Sequence, residues 1–236
     1  RLSENAGDSK YHSLQFAADR RYSNGLKVGA AYTLGESFDN GSNKRDVLFN
    51  TYDDTGYWGH SSFDRRHTLT IHYIYDLPFW RDQSQGLMSN LLGGWQISGA
   101  TFLRTGQPFS VFQTATDVAG VGDQGFGQPL DLVGDPGDMN YQLYSGPGTE
   151  AFNTAAFARP ATGTFGNSPR NEWYNPGEQQ WDLAIFKHFS MGGLRRIQFR
   201  AEMFNFLNHP NLGTIHTDSM QGHNYANPNN ANYGRI

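Results

Sequence analysis

Six segments of this chain alternate apolar and polar residues at every second position, and the links between them run short, long, medium, very long, short, long. Side chains two residues apart share one face of a β-strand, so each segment presents an apolar face and a polar one. Residues 12–20 set Leu14, Phe16 and Ala18 against Gln15, Ala17 and Asp19, and Asn24-Gly25 then supplies the strongest short hairpin signal. Residues 26–34 set Leu26, Val28, Ala30, Tyr32 and Leu34 against Lys27, Gly29, Ala31 and Thr33. Residues 68–76 oppose Leu69, Ile71, Tyr73 and Tyr75 to Thr70, His72 and Ile74, and Pro78 ends the run because it cannot join a ladder interior. Residues 95–104 oppose Trp95, Ile97, Gly99, Thr101 and Leu103 to Gln96, Ser98, Ala100 and Arg104. In 181–189, Leu183 and Ile185 oppose Asp182, Ala184 and His188; in 195–204, Ile197, Phe199, Ala201 and Met203 oppose Gln198, Arg200 and Glu202.

A soluble sandwich has no reason to keep loop length in step with strand parity. A transmembrane β-barrel does, with tight turns on the periplasmic side and long loops outside. Strands of about nine residues suffice to cross a bilayer when tilted. Tyr32, Tyr75, Trp95, Trp181 and Phe189 stand near the ends of the apolar faces, where aromatic girdles lie. The apolar faces, with Leu14, Val28, Ile71, Ile97, Ile185 and Phe199, are predicted to meet lipid, Phe199 at mid-depth. Asp19, Lys27, Gln198, Arg200 and Glu202 on the opposite faces then require a wet lumen. Lys187 falls on the apolar face by parity, and its place near the periplasmic end predicts a snorkelling side chain. The fold class this predicts is all-β: an antiparallel transmembrane barrel segment of about six strands that does not close, with long extracellular loops.

The remaining composition agrees. No run approaches the roughly 18 apolar residues of a membrane-spanning helix. A mean hydropathy of −0.64 is compatible with a barrel, whose lipid-facing and lumen-facing residues average out. A net charge of −4 gives no footing for a nucleic-acid partner. The absence of Cys excludes a disulfide-stapled module. The chain opens Arg1-Leu2-Ser3 with neither Met nor an apolar targeting core, which reads as a removed signal peptide or an internal piece of a longer protein. Residues 87–92 suggest a short helical turn, and Phe109-Ser110-Val111 reads as the fourth strand continuing beyond the membrane. The rest of 106–180, rich in Gly, Pro, Asp and Asn, reads as a long extracellular loop.

Several motifs dissolve on inspection. Gly120-Val121-Gly122-Asp123-Gln124-Gly125 matches the dinucleotide fingerprint, but that motif acts only between a strand and a helix. Phe126-Gly127-Gln128-Pro129 opens no helix. His209, His216 and His223 recur evenly near Asp218 in an Asn-rich stretch without the tight spacing of zinc ligands. Asp117, Asp123, Asp131, Asp135 and Asp138 fit no EF-hand; turn formation accounts for most of them, with a calcium loop as the alternative. No nucleophile elbow occurs, so no catalytic residue, metal ligand or cofactor is assigned and no enzyme activity is expected. Tyr52, Tyr57 and Trp58 in one loop, with Trp173 and Tyr174 in another, are the candidate ligand-binding residues, able to stack on a sugar or other flat ligand. Packing of the loops against one another is the competing reading.

Beyond these derivations, a set of phrases in this order resembles TonB-dependent receptors. They are Tyr11-His12-Ser13-Leu14-Gln15, Phe63-Asp64-Arg65-Arg66-His67, Leu92-Gly93-Gly94-Trp95-Gln96 and Gly163-Thr164-Phe165-Gly166-Asn167. Trp181-Asp182-Leu183 with Phe186-Lys187, and Gln198-Phe199-Arg200-Ala201-Glu202 with Phe204-Asn205, complete the set. The likeness is strongest to the Oar-like group, whose longer members carry a carboxypeptidase-regulatory-like domain ahead of plug and barrel. The resemblance implies that residues 1–236 are a partial barrel domain from the C-terminal part of a receptor, with Gly234-Arg235-Ile236 leading into a final strand. It further implies residence in a Gram-negative-type outer membrane. The implied partners are membrane lipid, the remainder of the barrel and its plug, and a TonB-type energising partner reached through N-terminal parts not in this sequence. The parent would bind a ligand on its outer loops, at about 35–66 and 112–180, and take it up. Two alternatives stand beside this: an adhesin or secretion-related barrel without active uptake, and a soluble all-β carbohydrate-binding module.

Overall fold

The computed structural model describes residues 7–42, 50, 53, 55–79, 87–113, 117–122, 127–137, 150–191, 195–213, 215, 225–226 and 234–235. In chain order the elements are β1 (Ser9–Ser23), β2 (Leu26–Asp39), β3 (Gly59–His60), β4 (His67–Asp76), α1 (Leu87–Leu92), β5 (Trp95–Arg104), β6 (Pro108–Gln113), β7 (Gln128–Pro129), β8 (Asp131–Leu132), β9 (Phe157–Ala158), β10 (Trp173–Tyr174), β11 (Glu178–Ser190), β12 (Arg196–Met203) and β13 (Tyr225–Ala226).

The six alternating segments form one antiparallel meander in the order β1-β2-β4-β5-β11-β12, with β3 added to the far end of β2. Asn24 and Gly25 join the first hairpin, both with positive φ (53° and 83°), the conformation a tight two-residue turn of matching twist requires. Connections at this end are the short ones, and those at the other end are long. Among the described residues β1 pairs only with β2 and β12 only with β11, so the sheet is open. Six strands fall short of the roughly eight in the smallest bacterial barrels.

Register carries the face assignment across the whole sheet. Leu26 pairs with Tyr75, Tyr75 with Ile97, Ile97 with Ile185 and Ile185 with Ala201, an unbroken apolar row. On the opposite face Asp19 pairs with Gly29, Gly29 with His72, His72 with Ala100 and Ala100 with Asp182. The Asp19 carboxylate and His72 imidazole fill the space where a Gly29 side chain would stand. On the apolar face the Tyr73 ring covers Gly99 in the same way, restoring packing to the small-residue strand. Lys187 is 1% exposed. Its ammonium donates to the Gly93 carbonyl and lies over the rings of Trp95 and Phe189, 5.5 and 5.0 Å from their centroids.

Two features depart from the sequence reading. The strands of the first hairpin and the fifth segment run further toward the long loops than their apolar alternation does. Ser9–Ser13 and Gly35–Asp39 stay in ladder, because a polar hairpin can extend into water once it is nucleated. Phe199 is the fourth of the eight residues of β12 and pairs with Lys187. Phe109-Ser110-Val111 does not prolong the fourth strand. The chain leaves the sheet after Arg104, and β6 enters a second, small sheet with β10 and β7 antiparallel and β13 parallel to it. Gly106 permits the turn, since any side chain there would overlap the Asn175 carbonyl. β6 is buried on both faces, and Phe109, Val111, Leu130, Ala151, Phe152, Ala156, Phe157, Trp173 and Ile215 make a core beyond the wall. The long connection is therefore a folded body rather than a structureless loop.

With the apolar face toward lipid, Ile71→Arg and Phe199→Arg, each at the centre of its strand, should lower the stability of membrane insertion by about 2–4 kcal/mol, and Arg200→Leu on the polar face by far less. Urea titration of the barrel, completed by its remaining strands and refolded into lipid vesicles, reads this difference. Equal losses at 199 and 200 would reject the faces assigned by the register.

Candidate functional site

At the long-connection end, charges on the loops lock segments distant in sequence onto the top of β2. The Arg170 guanidinium donates to the Asp39 carbonyl at 2.7 Å and to the Tyr57 carbonyl at 3.1 Å. It also reaches the Asp39 carboxylate at 2.7 Å and the Ser42 hydroxyl at 2.8 Å. One side chain thus ties three stretches of backbone together. Asp64, also buried, accepts the Ser37 amide at 2.7 Å and the Tyr174 hydroxyl at 3.3 Å. The His60 ring stacks on Phe38 at 4.4 Å and meets Tyr174 edge-on at 5.6 Å. Burial, reinforced by the Asp64 charge, pushes the Tyr174 hydroxyl well above the usual phenol range, so it remains a donor. Asn171, with φ 54°, turns the chain here and donates to the His60 carbonyl at 2.6 Å.

The five candidate aromatics have distinct fates. Trp173 belongs to the core, 6.3 Å from Phe109 and 5.1 Å from Phe157 between ring centroids. Tyr57 is buried beside Arg170, and Tyr174 is half-buried against Asp64. Trp58, at 42% exposure, presents its ring outward, near-parallel to Phe38 with the Lys10 ammonium 5.7 Å from its centroid. Tyr52 lies outside the described residues. Loop packing thus accounts for Tyr57, Trp173 and Tyr174, while the Trp58 ring stays exposed beside Phe38 and Lys10.

A cleft of ≈ 230 Å³ opens where the loops meet the polar face of the wall, lined by Arg65, Gln107, Asn175, Pro176, Glu178 and Leu212 among others. Arg65 donates to the Thr105 carbonyl at 2.7 Å and approaches Glu178 at 3.4 Å, and Arg104 donates to the other Glu178 oxygen at 2.8 Å. Desolvation, then the like charge of Arg104, lowers the Arg65 pKa against the opposing pull of Glu178. Arg65 and Glu178 are the charged residues of the lining, and Arg104 braces Glu178 from beside it. No spacing argument singled this cleft out. Its one visible sign was the charge density of Phe63-Asp64-Arg65-Arg66-His67, each polar member of which has a structural partner. Asp64 and Arg65 are described above; Arg66 pairs with Glu36 at 2.6 Å and His67 with the Tyr32 hydroxyl at 2.7 Å.

The glycine-rich stretch binds its own backbone. The Asp117 carboxylate accepts the Gln128 side-chain amide at 2.8 Å and the amides of Gly122 at 2.6 Å and Val121 at 3.1 Å. The Gln128 donor, more than these amides, holds it below the ordinary carboxylate range. Asp135 closes a similar turn on Gly137. Asp123, Asp138, His216 and His223 lie outside the described residues, and His209 bonds Gln179 and Asn205. Among the described residues no group of three or more His, Asp or Glu is placed to hold a metal.

Arg170→Ala leaves the buried Asp39 uncompensated and should destabilise the loop assembly by about 3–5 kcal/mol. Limited proteolysis should then cut within 150–177 while the wall strands stay protected; an unchanged pattern would remove Arg170 from its role. Asp117, with its pKa lowered on folding, stabilises its turn above the unfolded value and loses that contribution as pH falls through the folded one. The Gly122 amide should therefore stay protected from exchange through pH of about 4 and open only below it. Opening already above that value would contradict the assignment.

A family model described as an outer membrane beta barrel domain matches residues 1–236, the whole chain. Searches of curated proteins and of solved structures each gave no match. The meander, the in-register apolar face and this match converge: the chain belongs to the outer membrane beta barrel domain family and resides in the outer membrane, its apolar face against lipid.

Proposed function

We propose that this chain supplies barrel wall and part of the ligand-facing surface of a TonB-dependent receptor of the Oar-like kind. The observation that carries the reading is the folded body made by the β5–β11 connection and the segment after β12, with its own core and the Arg170 tie to the rim. A passive pore needs no such construction, whereas a receptor must hold its contact residues in fixed positions. The ordered run of receptor-like phrases supports the same reading. Several of these residues serve the assembly: Asp64 and Arg65 at the rim, and Asn167, whose side chain accepts the Leu132 amide at 2.7 Å. The polar wall face would meet a plug, which an energised periplasmic partner displaces. The protein binds and transports rather than catalyses. Contact with ligand falls to Trp58 and to the polar cleft at Arg65 and Glu178.

Loss of the energising partner in cells should abolish accumulation of ligand while leaving surface binding intact. A mixture of labelled oligosaccharides and peptides, followed for binding and for uptake, separates the two. Binding with no uptake in wild-type cells would replace the receptor reading with an adhesin. Trp58→Ala should weaken binding without altering loop protection. Trp173→Ala, by contrast, should cost about 3–5 kcal/mol in loop stability, as truncation of a buried ring does.

A further inference from the structure

The connection between β4 and β5 carries an apolar surface that the wall does not use. α1 lies in it, and two side chains fix the side of the wall on which it sits. Trp95 and Lys187 are cross-strand partners on the lipid face, in one row with Phe199. The Trp95 indole donates to the Leu91 carbonyl at 3.3 Å, and the Lys187 ammonium donates to the Gly93 carbonyl. The C-terminal end of α1 is thus hung from the outside of the barrel, not from the lumen. Met88 and Leu91 stand three residues apart, hence on one helix face, and are 62% and 60% exposed. Ser89 and Asn90 occupy the positions between them. Phe79, at the start of the same connection, is also exposed.

From this geometry we propose that α1 is an interfacial anchor, seated at the headgroup–acyl boundary of the periplasmic leaflet with Met88 and Leu91 among phospholipid chains. Continuity decides the occupant. Trp95 and the adjoining Tyr75–Ile97–Ile185 row already face lipid, and α1 prolongs that surface past the strand ends. The helix carries no acidic or basic residue that would ask for a charged partner. An apolar helix face lying in the membrane plane is the usual way such a segment is accommodated.

The chain contains no Cys, which makes single-site labelling direct. Met88→Cys, Leu91→Cys and Asn90→Cys would each carry an environment-sensitive fluorophore. The barrel, completed by its remaining strands, would be inserted in vesicles of phosphatidylethanolamine and phosphatidylglycerol containing shallow or deep spin-labelled lipids. Positions 88 and 91 should show blue-shifted emission and at least about two-fold stronger shallow quenching than position 90. Ile71→Cys, quenched by the deep label in the same vesicles, reports insertion separately, so failure of the anchor and failure of insertion give different results. Water-like emission from all three α1 positions in inserted protein overturns the proposal. So does a blue shift at 88 and 91 that arises only on adding periplasmic extract, which would assign the face to a protein partner.

Discussion

Within the hydrocarbon layer a backbone amide or carbonyl has no water to bond, so every such group must be paired inside the sheet. That constraint orders the rest of this structure. β2, β4, β5 and β11 are flanked on both sides, and their continuous antiparallel register turns a local alternation of side chains into two chemically distinct faces. A slip of one residue anywhere would carry the Ile97 row to water and the Asp19 row to lipid. Among the described residues β1 and β12 each leave one edge open, and both are exposed along nearly their full length. Those edges can enter a bilayer only when paired, so the wall requires further strands.

Outside the membrane the physics changes, and so does the architecture. Water relieves the demand for a complete ladder, and the long connection folds around side chains instead. Phe109, Phe152, Phe157 and Trp173 pack into one aromatic cluster, the last two in edge-to-face contact at 5.1 Å. This body is joined to the wall through ions as well as through the Phe38–His60–Tyr174 rings. Arg170 and Asp39 are both nearly buried, and with little water to screen them their pairing is worth more than a surface salt bridge. Such a joint is directional: it fixes the loop body against the rim without a large apolar surface that the unassembled protein would have to hide.

The wall was legible in the sequence because a period of two is a local property. Each strand announced itself, and Asn24-Gly25 fixed one turn outright. Period determines the face of a residue, which is why Phe199 and Ile97 could be placed toward lipid from the sequence alone. The loop body was illegible. Its core is assembled from residues as far apart as Phe109 and Ile215, on strands as short as two residues, with no periodicity to read. The Arg170–Asp39 tie spans 131 residues. Trp58 and Trp173 look alike in sequence, both rings in turn-rich segments, and only packing separates the exposed one from the core one.

Register also sets the height of the apolar band, and thereby the level of α1. Trp95 opens β5 at one rim; Leu103 pairs with Leu69, and Leu69 with Tyr32, at the other. At about 3.3 Å per residue the span from Trp95 to Leu103 is about 26 Å along the strand. A tilt of about 40° reduces it to about 20 Å of height, which the rings at either end extend toward the roughly 25 Å of an outer-membrane barrel's apolar band. The row of Trp95 and Lys187 is therefore its lower boundary, where a cation can rest between rings and a backbone carbonyl without leaving the lipid side. α1 begins where that row ends. A segment hung from the outer face at that level has headgroups below it and acyl chains beside it, so exposed methionine and leucine side chains are an expected composition there.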